Sequence, residues 1–448
     1  MAIAATIEWE VRTTGTASNA NGGGYKPGAS GTDFSQQNAA QYNLTLVTTA
    51  AADAILLSAS AAADMVGNLA HIVSGTNFTV GWYEIISIVA GVSITLDRTC
   101  TTAAGASGVV NIGGALSFGS ADDAVFESME PGNIMHIQTG SYTMGAVGMT
   151  KDGTSALLIS LRGYNAARND APTGANRPVL AFAGNTSTFG DYMVFEDISV
   201  TTTASLGLSL GTGGLADNCK SVNSSGSADR NAFTLTNNTL VYCEAVSTAG
   251  DAASLVVGGC AIRHFYAHDS SNGIDFGAQN NNVVQFAIID TIVSKALSFG
   301  STADSNTVSD VTLYGASTPA GSSIGIDLAA TTGINNRFDN IIISGFVDPI
   351  KSAAVVGSNS YRYINIHNCS NAVTNVTLGE GSGTDDPGFV DAPNGNFAVG
   401  TNMKATGGPA AFPGGLSTGY LDRGAVQRQE PAGGSGGGLR IVAPGGLG

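Results

Sequence analysis

Three eight-residue stretches, NTVSDVTL from Asn306, NRFDNIII from Asn336 and NSYRYINI from Asn359, share one pattern. Each begins with asparagine and places apolar residues at offsets +2, +5 and +7: Val308, Val311 and Leu313; Phe338, Ile341 and Ile343; Tyr361, Ile364 and Ile366. The frame runs backwards through Asn282 (Val284, Ala287, Ile289), Cys260 (Ile262, Phe265, Ala267) and Asn238 (Leu240, Cys243, Ala245). It weakens at Asp217 (Cys219, Val222, Ser224) and opens at Met193 (Phe195, Ile198, Val200), with successive steps of 24, 21, 22, 22, 24, 30 and 23 residues. A fixed period of this kind means that each unit buries its apolar face against the next. A unit near 22 residues, with short alternating runs such as FTL, GIDF and ALSF, is too short for a helix pair. It suits one coil of a parallel β-helix, whose strands stack on the next coil at about 4.8 Å. Offsets +5 and +7 fall on one strand face, here the interior. The 30-residue step carries STPAGSSIG, read as a turn insertion. A leucine-rich repeat has a similar period, but its leucine register is absent.

Composition agrees with a strand-and-turn solenoid. Only 12% of the 448 residues are charged and 61 are glycine, which disfavours long helices, while 43% hydrophobic content argues against disorder. The net charge of −16, with 18 basic residues and no basic stripe, makes nucleic acid a poor partner. Cys100, Cys219, Cys243, Cys260 and Cys369 lack metal-binding or CxxC spacing and read as free core thiols, so no metal or other cofactor is expected. The opening MAIAATIEWEV has no cationic segment and meets Glu8 early, so it reads as no signal peptide. No apolar run approaches 18 residues, and no membrane partner is expected.

The coils at 193–376, the entry GSADDAVFESMEPGNIMHIQTGSYTM (119–144) and the exit DDPGFVDAPNGNFAVG with GYLDRGAVQ together resemble the right-handed parallel β-helix, or pectate-lyase-like, superfamily. The entry is similar to that family's capping helix and first strand, and the exit to its closing segment, which covers an otherwise sticky sheet end. The resemblance departs at Arg423, where the closing pattern has an apolar residue. The chain is thus expected to be all-β, a right-handed parallel β-helix solenoid with a small N-terminal β-rich region. Residues 1–112 read as a Gly-rich arm and small β-rich attachment region with little core, including a hairpin around Ala90-Gly91. Residues 113–430 read as the β-helix, and 431–448 as a Gly-rich tail.

Stacked coils present columns of outward residues. Offset +4 reads Tyr242, His264, Phe286; +6 reads Glu244, Tyr266, Ile288, Thr312, Ile342; +8 reads Val246, His268, Asp290, Tyr314, Ser344, His367. Phe286, Ile288 and Ile342 on an outward face imply a cover, and with Tyr242 they are assigned to the seam of a homotrimer. Against that stands a carbohydrate site, with Glu244, Asp269 and Asp290 as candidate acid and base and His264 and His268 as proton carriers. The TDD at 384–386 reads as a polar turn, and enzymatic activity is not the favoured expectation.

Members of the superfamily include secreted polysaccharide enzymes and virion proteins of tailed phages. The charge-poor coils, the apolar outer column and the separate N-terminal region favour a homotrimeric β-helix decorating the capsid surface, made in the host cytoplasm and partnered by itself and by the major capsid protein or another virion protein. A tailspike-like receptor-binding protein or polysaccharide depolymerase, partnered by a host-surface glycan, and a secreted polysaccharide lyase or hydrolase are the alternatives.

Overall fold

The structure, a computed structural model, describes the chain except residues 1–2, 5, 17–19, 119–122, 145–150, 183–188, 205, 316–318, 320, 329–331, 356, 405, 408–422 and 427–448. It is a right-handed parallel β-helix of about nine turns with a small β-rich region near its N-terminus. The contacts divide it into two units, residues 1–201 with 213–215, and residues 202–212 with 216–448.

In the first unit, strands Tyr42–Thr49, Ile55–Leu57, Leu69–Phe78, Gly81–Val89, Ser93–Leu96 and Thr101–Ile112 close into an antiparallel barrel. The hairpin around Ala90-Gly91 is present: Val89 pairs with Ser93, and Gly91 takes the left-handed φ of 67° that the turn requires. The expectation of little core in residues 1–112 is corrected. Leu44, Val47, Leu56, Met65, Ile72, Ile85, Ile94, Val110 and Ile112 pack together inside the barrel. Its strands alternate less regularly than the coils, because bulges interrupt the pairing of Thr101–Ile112 with both neighbours, and this hid the core.

Parallel stacking also begins earlier than Met193. Strand Glu8–Thr16 pairs in parallel with Ile134–Gln138, which pairs with Ile159–Tyr164, which pairs with Met193–Glu196. Glu10, fully buried on that first strand, is held by Arg12 at 2.7 Å, by Arg168 at 2.7 Å and by the Tyr164 hydroxyl. A buried carboxylate is tolerable only with such partners. A short helix, Asp123–Ser128, follows the barrel in sequence, where the capping helix was expected.

In the second unit the repeat frame sets the interior. Leu240, Cys243 and Ala245, and their counterparts through Phe338, Ile341 and Ile343, are buried on successive coils. At offset +4 each coil turns sharply: Tyr242, His264, Phe286, Asp310, Asn340 and Tyr363 all have φ between 51 and 58°. That left-handed residue separates two short strands and lets +5 and +7 point inward again. A second, seven-stranded parallel sheet, from Leu208–Ser209 to Asp348–Ser352, forms another side of the coils.

Three details of the frame are corrected. At Asp217 it is displaced by three residues: Ser221 pairs with Ala245, so Ala216, Cys219 and Ser221 face inward and Val222 is half-exposed. Ile366, on the last long strand, is also only half-buried. Thr312 and Ile342, expected on the outer face, are fully buried. The closing segment lies over them. Val399 and Met403 pack on Ile342, and the Ala425 N–H donates to Thr312 Oγ1 at 3.1 Å. Arg423 is buried and spends its guanidinium on the Thr406 carbonyl at 2.9 Å and Asn365 Oδ1 at 3.4 Å, so an arginine replaces the apolar residue by satisfying backbone instead of filling core. Of the proposed last strand and tail, all but residues 423–426 lie outside the described residues.

An aspartate at Thr312 should therefore be as damaging as one at Ile343, each costing on the order of 3 kcal/mol or more for an unpaired buried carboxylate. Thermal unfolding of both variants measures this. A Thr312→Asp protein with wild-type stability would place the closing segment elsewhere.

Candidate functional site

Hydrogen-bonded register turns the +6 and +8 offsets into two adjacent side-chain columns. Lys220, Glu244, Tyr266, Ile288, Thr312, Ile342 and Asn365 follow one another at +6. Asp290, Tyr314, Ser344 and His367 do so at +8, continuing the position of His268. Three of the five candidates read from the sequence are connected directly. His268 Nε2 lies 3.0 Å from Glu244 Oε1, and its Nδ1 lies 2.8 Å from Asp269 Oδ2. Lys220 Nζ donates to Glu244 Oε1 at 2.6 Å. The Tyr266 ring stacks on His268 at 4.6 Å, and its hydroxyl donates to Asp290 Oδ2 at 3.3 Å, which brings Asp290 to the same cluster.

The electrostatics separate the two carboxylates. Burial acts to raise the Glu244 carboxyl, but the hydrogen bonds from His268 and Lys220 overcome it and bring it down to about 2. Burial opposes the charged His268 ring, and its two carboxylate partners outweigh that, so it titrates above an ordinary histidine. Asp290 is 6% exposed, accepts the Tyr266 hydroxyl at Oδ2 and leaves Oδ1 without a partner. Burial pushes its carboxyl up to about 6 despite the Tyr266 hydroxyl.

His264 does not join this cluster. It sits at the left-handed +4 position between Tyr242 and Phe286, with ring centroids 4.7 and 5.0 Å away, and burial lowers its pKa. This stack is a consequence of the coil spacing. Of the seam residues, Tyr242 is exposed and Phe286 and Ile288 are half-buried, but Ile342 is covered by its own chain and is removed from that set.

Further along the +8 column, Tyr314, Ser344, His367, Asp386, Phe389 and Asp391 line a shallow pocket of about 320 Å³. Tyr314 meets the Phe397 and Phe389 rings at 5.5 and 6.0 Å. Asp386, read as part of a polar turn, thus stands at the edge of a pocket. Lys220 escaped the sequence reading because of the three-residue frame slip at Asp217. Among the described residues no group of three or more His, Cys, Asp or Glu can hold a metal ion.

No family model and no curated protein matches the sequence. Among solved structures, pectate lyase Pel9A is similar with a TM-score of 0.50 at 14% identity, over 70% of this chain and 92% of that one. The fold is that of a pectate-lyase-like β-helix. A PL6 family polysaccharide lyase from Pseudopedobacter saltans (TM-score 0.35, 12% identity, 56% of this chain and 75% of that one) and the tailspike protein gp49 from Pseudomonas phage LKA1 (0.25, 11%, 77% and 61%) are more distant. On this β-helix the candidate cluster occupies one outward sheet face.

The raised Asp290 carboxyl has a measurable consequence. A folded-state pKa near 6, above the ordinary 3.8, means that the protonated group's contribution is present below about pH 4 and lost as pH rises through about 6. Asp290→Asn should leave the melting temperature unchanged at pH 4 and raise it at pH 7.5. Equal melting temperatures for the two proteins at pH 7.5 would mean that the carboxylate is not desolvated.

Proposed function

We propose that the protein is a glycan-binding β-helix, a receptor-binding protein of the tailspike-like kind, whose ligand lies along the Glu244–His268–Asp290–Tyr314–His367 face. The observation that carries this is the joining of hydrogen-bonding side chains and half-buried rings on stacked coils: Tyr266 with His268, then Asp290, then the Tyr314–Phe389 pocket. Sugars offer hydroxyls to carboxylates and apolar ring faces to aromatics, and a straight column repeating once per coil suits a linear polymer.

Binding fits this geometry better than cleavage. Asp290 has the pKa of a general acid, but a glycosidase needs a second carboxylate as base or nucleophile. Glu244, held at about 2 by two cations, is a weak base. Affinity electrophoresis against host polysaccharides tests the reading. Tyr314→Ala should weaken retardation about tenfold, the equivalent of ~1.5 kcal/mol of ring stacking. No reducing ends or unsaturated sugars should be released by the wild-type protein. Wild-type and variant proteins running identically through every retarding glycan would remove this face as the site.

A second reading, a homotrimer decorating the capsid surface of a virion with the major capsid protein as partner, draws on the N-terminal barrel. Leu46, Leu57, Val80, Ile86, Val89 and Val92 are all exposed there, apolar side chains that a protein partner would cover. Under this reading Leu57→Glu with Val89→Glu should abolish attachment to particles while light scattering still reports a trimer. Wild-type protein that scatters as a monomer would rule the trimer out.

A further inference from the structure

We infer that the glycan taken by this face is uncharged, and that polyuronates are rejected. This rests on the glycan-binding reading and names the chemical class of its ligand. The argument is one of charge placed where a polymer must run. Starting from the coil of Lys220, the face carries Glu244 and Asp269 around His268, then Asp290, then Asp386 and Asp391 at the Tyr314 pocket.

The cations there are already committed. Lys220 and His268 both bind Glu244, and His268 also binds Asp269. The basic residue lining the pocket is His367, and its Nε2 lies 4.0 Å from Asp386 Oδ1. A uronate chain brings one carboxylate per sugar and needs free cations, or a bridging metal, to meet them. Here each would approach carboxylates whose nearby positive charge is already shared. The whole chain, at −16, repels it further.

An uncharged sugar meets the same groups favourably. Ionised carboxylates only accept hydrogen bonds, and sugar hydroxyls can always donate one. The half-buried Phe389 and Tyr314 rings, 6.0 Å apart and nearly perpendicular, offer apolar surface to a ring face. Ser344 and Asn368 add neutral polar groups to the lining. The fold is shared with a pectate lyase, but fold does not carry ligand charge; the side chains of the face do.

The test is an array of bacterial surface polysaccharides, half uncharged and half containing uronate, probed with the full chain at about 20 mM salt, where the Debye length exceeds about 20 Å. Uncharged members should bind at least about tenfold more tightly than any uronate polymer. Raising the salt should narrow that gap, as should Asp386→Asn with Asp391→Asn, because both weaken the repulsion. Uronate polymers binding as tightly as the uncharged ones, or a gap unmoved by the double variant, would overturn the inference and leave glycan binding standing. Absence of binding to every member would instead sink the glycan-binding reading itself.

Discussion

The structure of the second unit depends on a ladder of asparagines. Asn282 Oδ1 accepts the Cys260 N–H at 2.9 Å, Asn306 accepts that of Asn282 at 3.0 Å, Asn336 that of Asn306 at 3.0 Å, and Asn359 that of Asn336 at 2.9 Å. Side-chain amides of neighbouring coils join as well, Asn282 to Asn306 at 2.9 Å and Asn306 to Asn336 at 3.1 Å. Each of these residues is buried or nearly so, so a coil out of step would leave amides unsatisfied at about 1–3 kcal/mol apiece. Hydrophobic burial within one short strand would tolerate a slip of two residues, since it keeps the same face inward. The ladder does not. It fixes which residue stands above which, and so creates the outward columns.

This explains what was legible in the sequence. Asparagine marks one corner of the coil, and the +2, +5, +7 residues mark its interior, so both the period and the interior could be read wherever the ladder exists. The frame also holds at Cys260 and Met193, whose +2, +5 and +7 residues are buried, but at Asp217 no asparagine anchors it. At Asp217 the apolar pattern alone allowed a three-residue displacement, and Lys220 was lost from the site with it. The barrel of residues 42–112 has no ladder and no period. Its core is assembled from antiparallel strands with shifted pairing, a pattern that alternation along a single strand does not reveal.

The closing segment shows the other limit. Ile342 looked like an exposed apolar residue because periodicity reports only which way a side chain points. What covers it, Val399 and Met403, is some sixty residues further along the chain and outside the repeat. A long-range cover of this kind is decided by tertiary packing, and the apolar column that implied a partner chain is in part a contact of the protein with itself. The half-buried Phe286 and Ile288 remain available to another surface.

The candidate site treats its two acids unequally. The ladder asparagines and Glu10 have partners for their buried polar atoms, whereas Thr234 Oγ1 and Asp339 Oδ1, like Asp290 Oδ1, have none. At Asp290 a nearly buried carboxylate holds one hydroxyl and leaves an oxygen empty, at a cost in stability that grows as the group ionises. Two coils away Glu244, half-buried, has been given two cations. The scaffold therefore has the means to satisfy an acid on this face and does so at one position but not at the other. An asparagine at 290 would keep the Tyr266 bond without the cost of ionisation, and the frame, which uses asparagine freely at its corners, has no steric objection to one. An unpartnered oxygen beside half-buried rings is a place where a ligand can supply the missing partner.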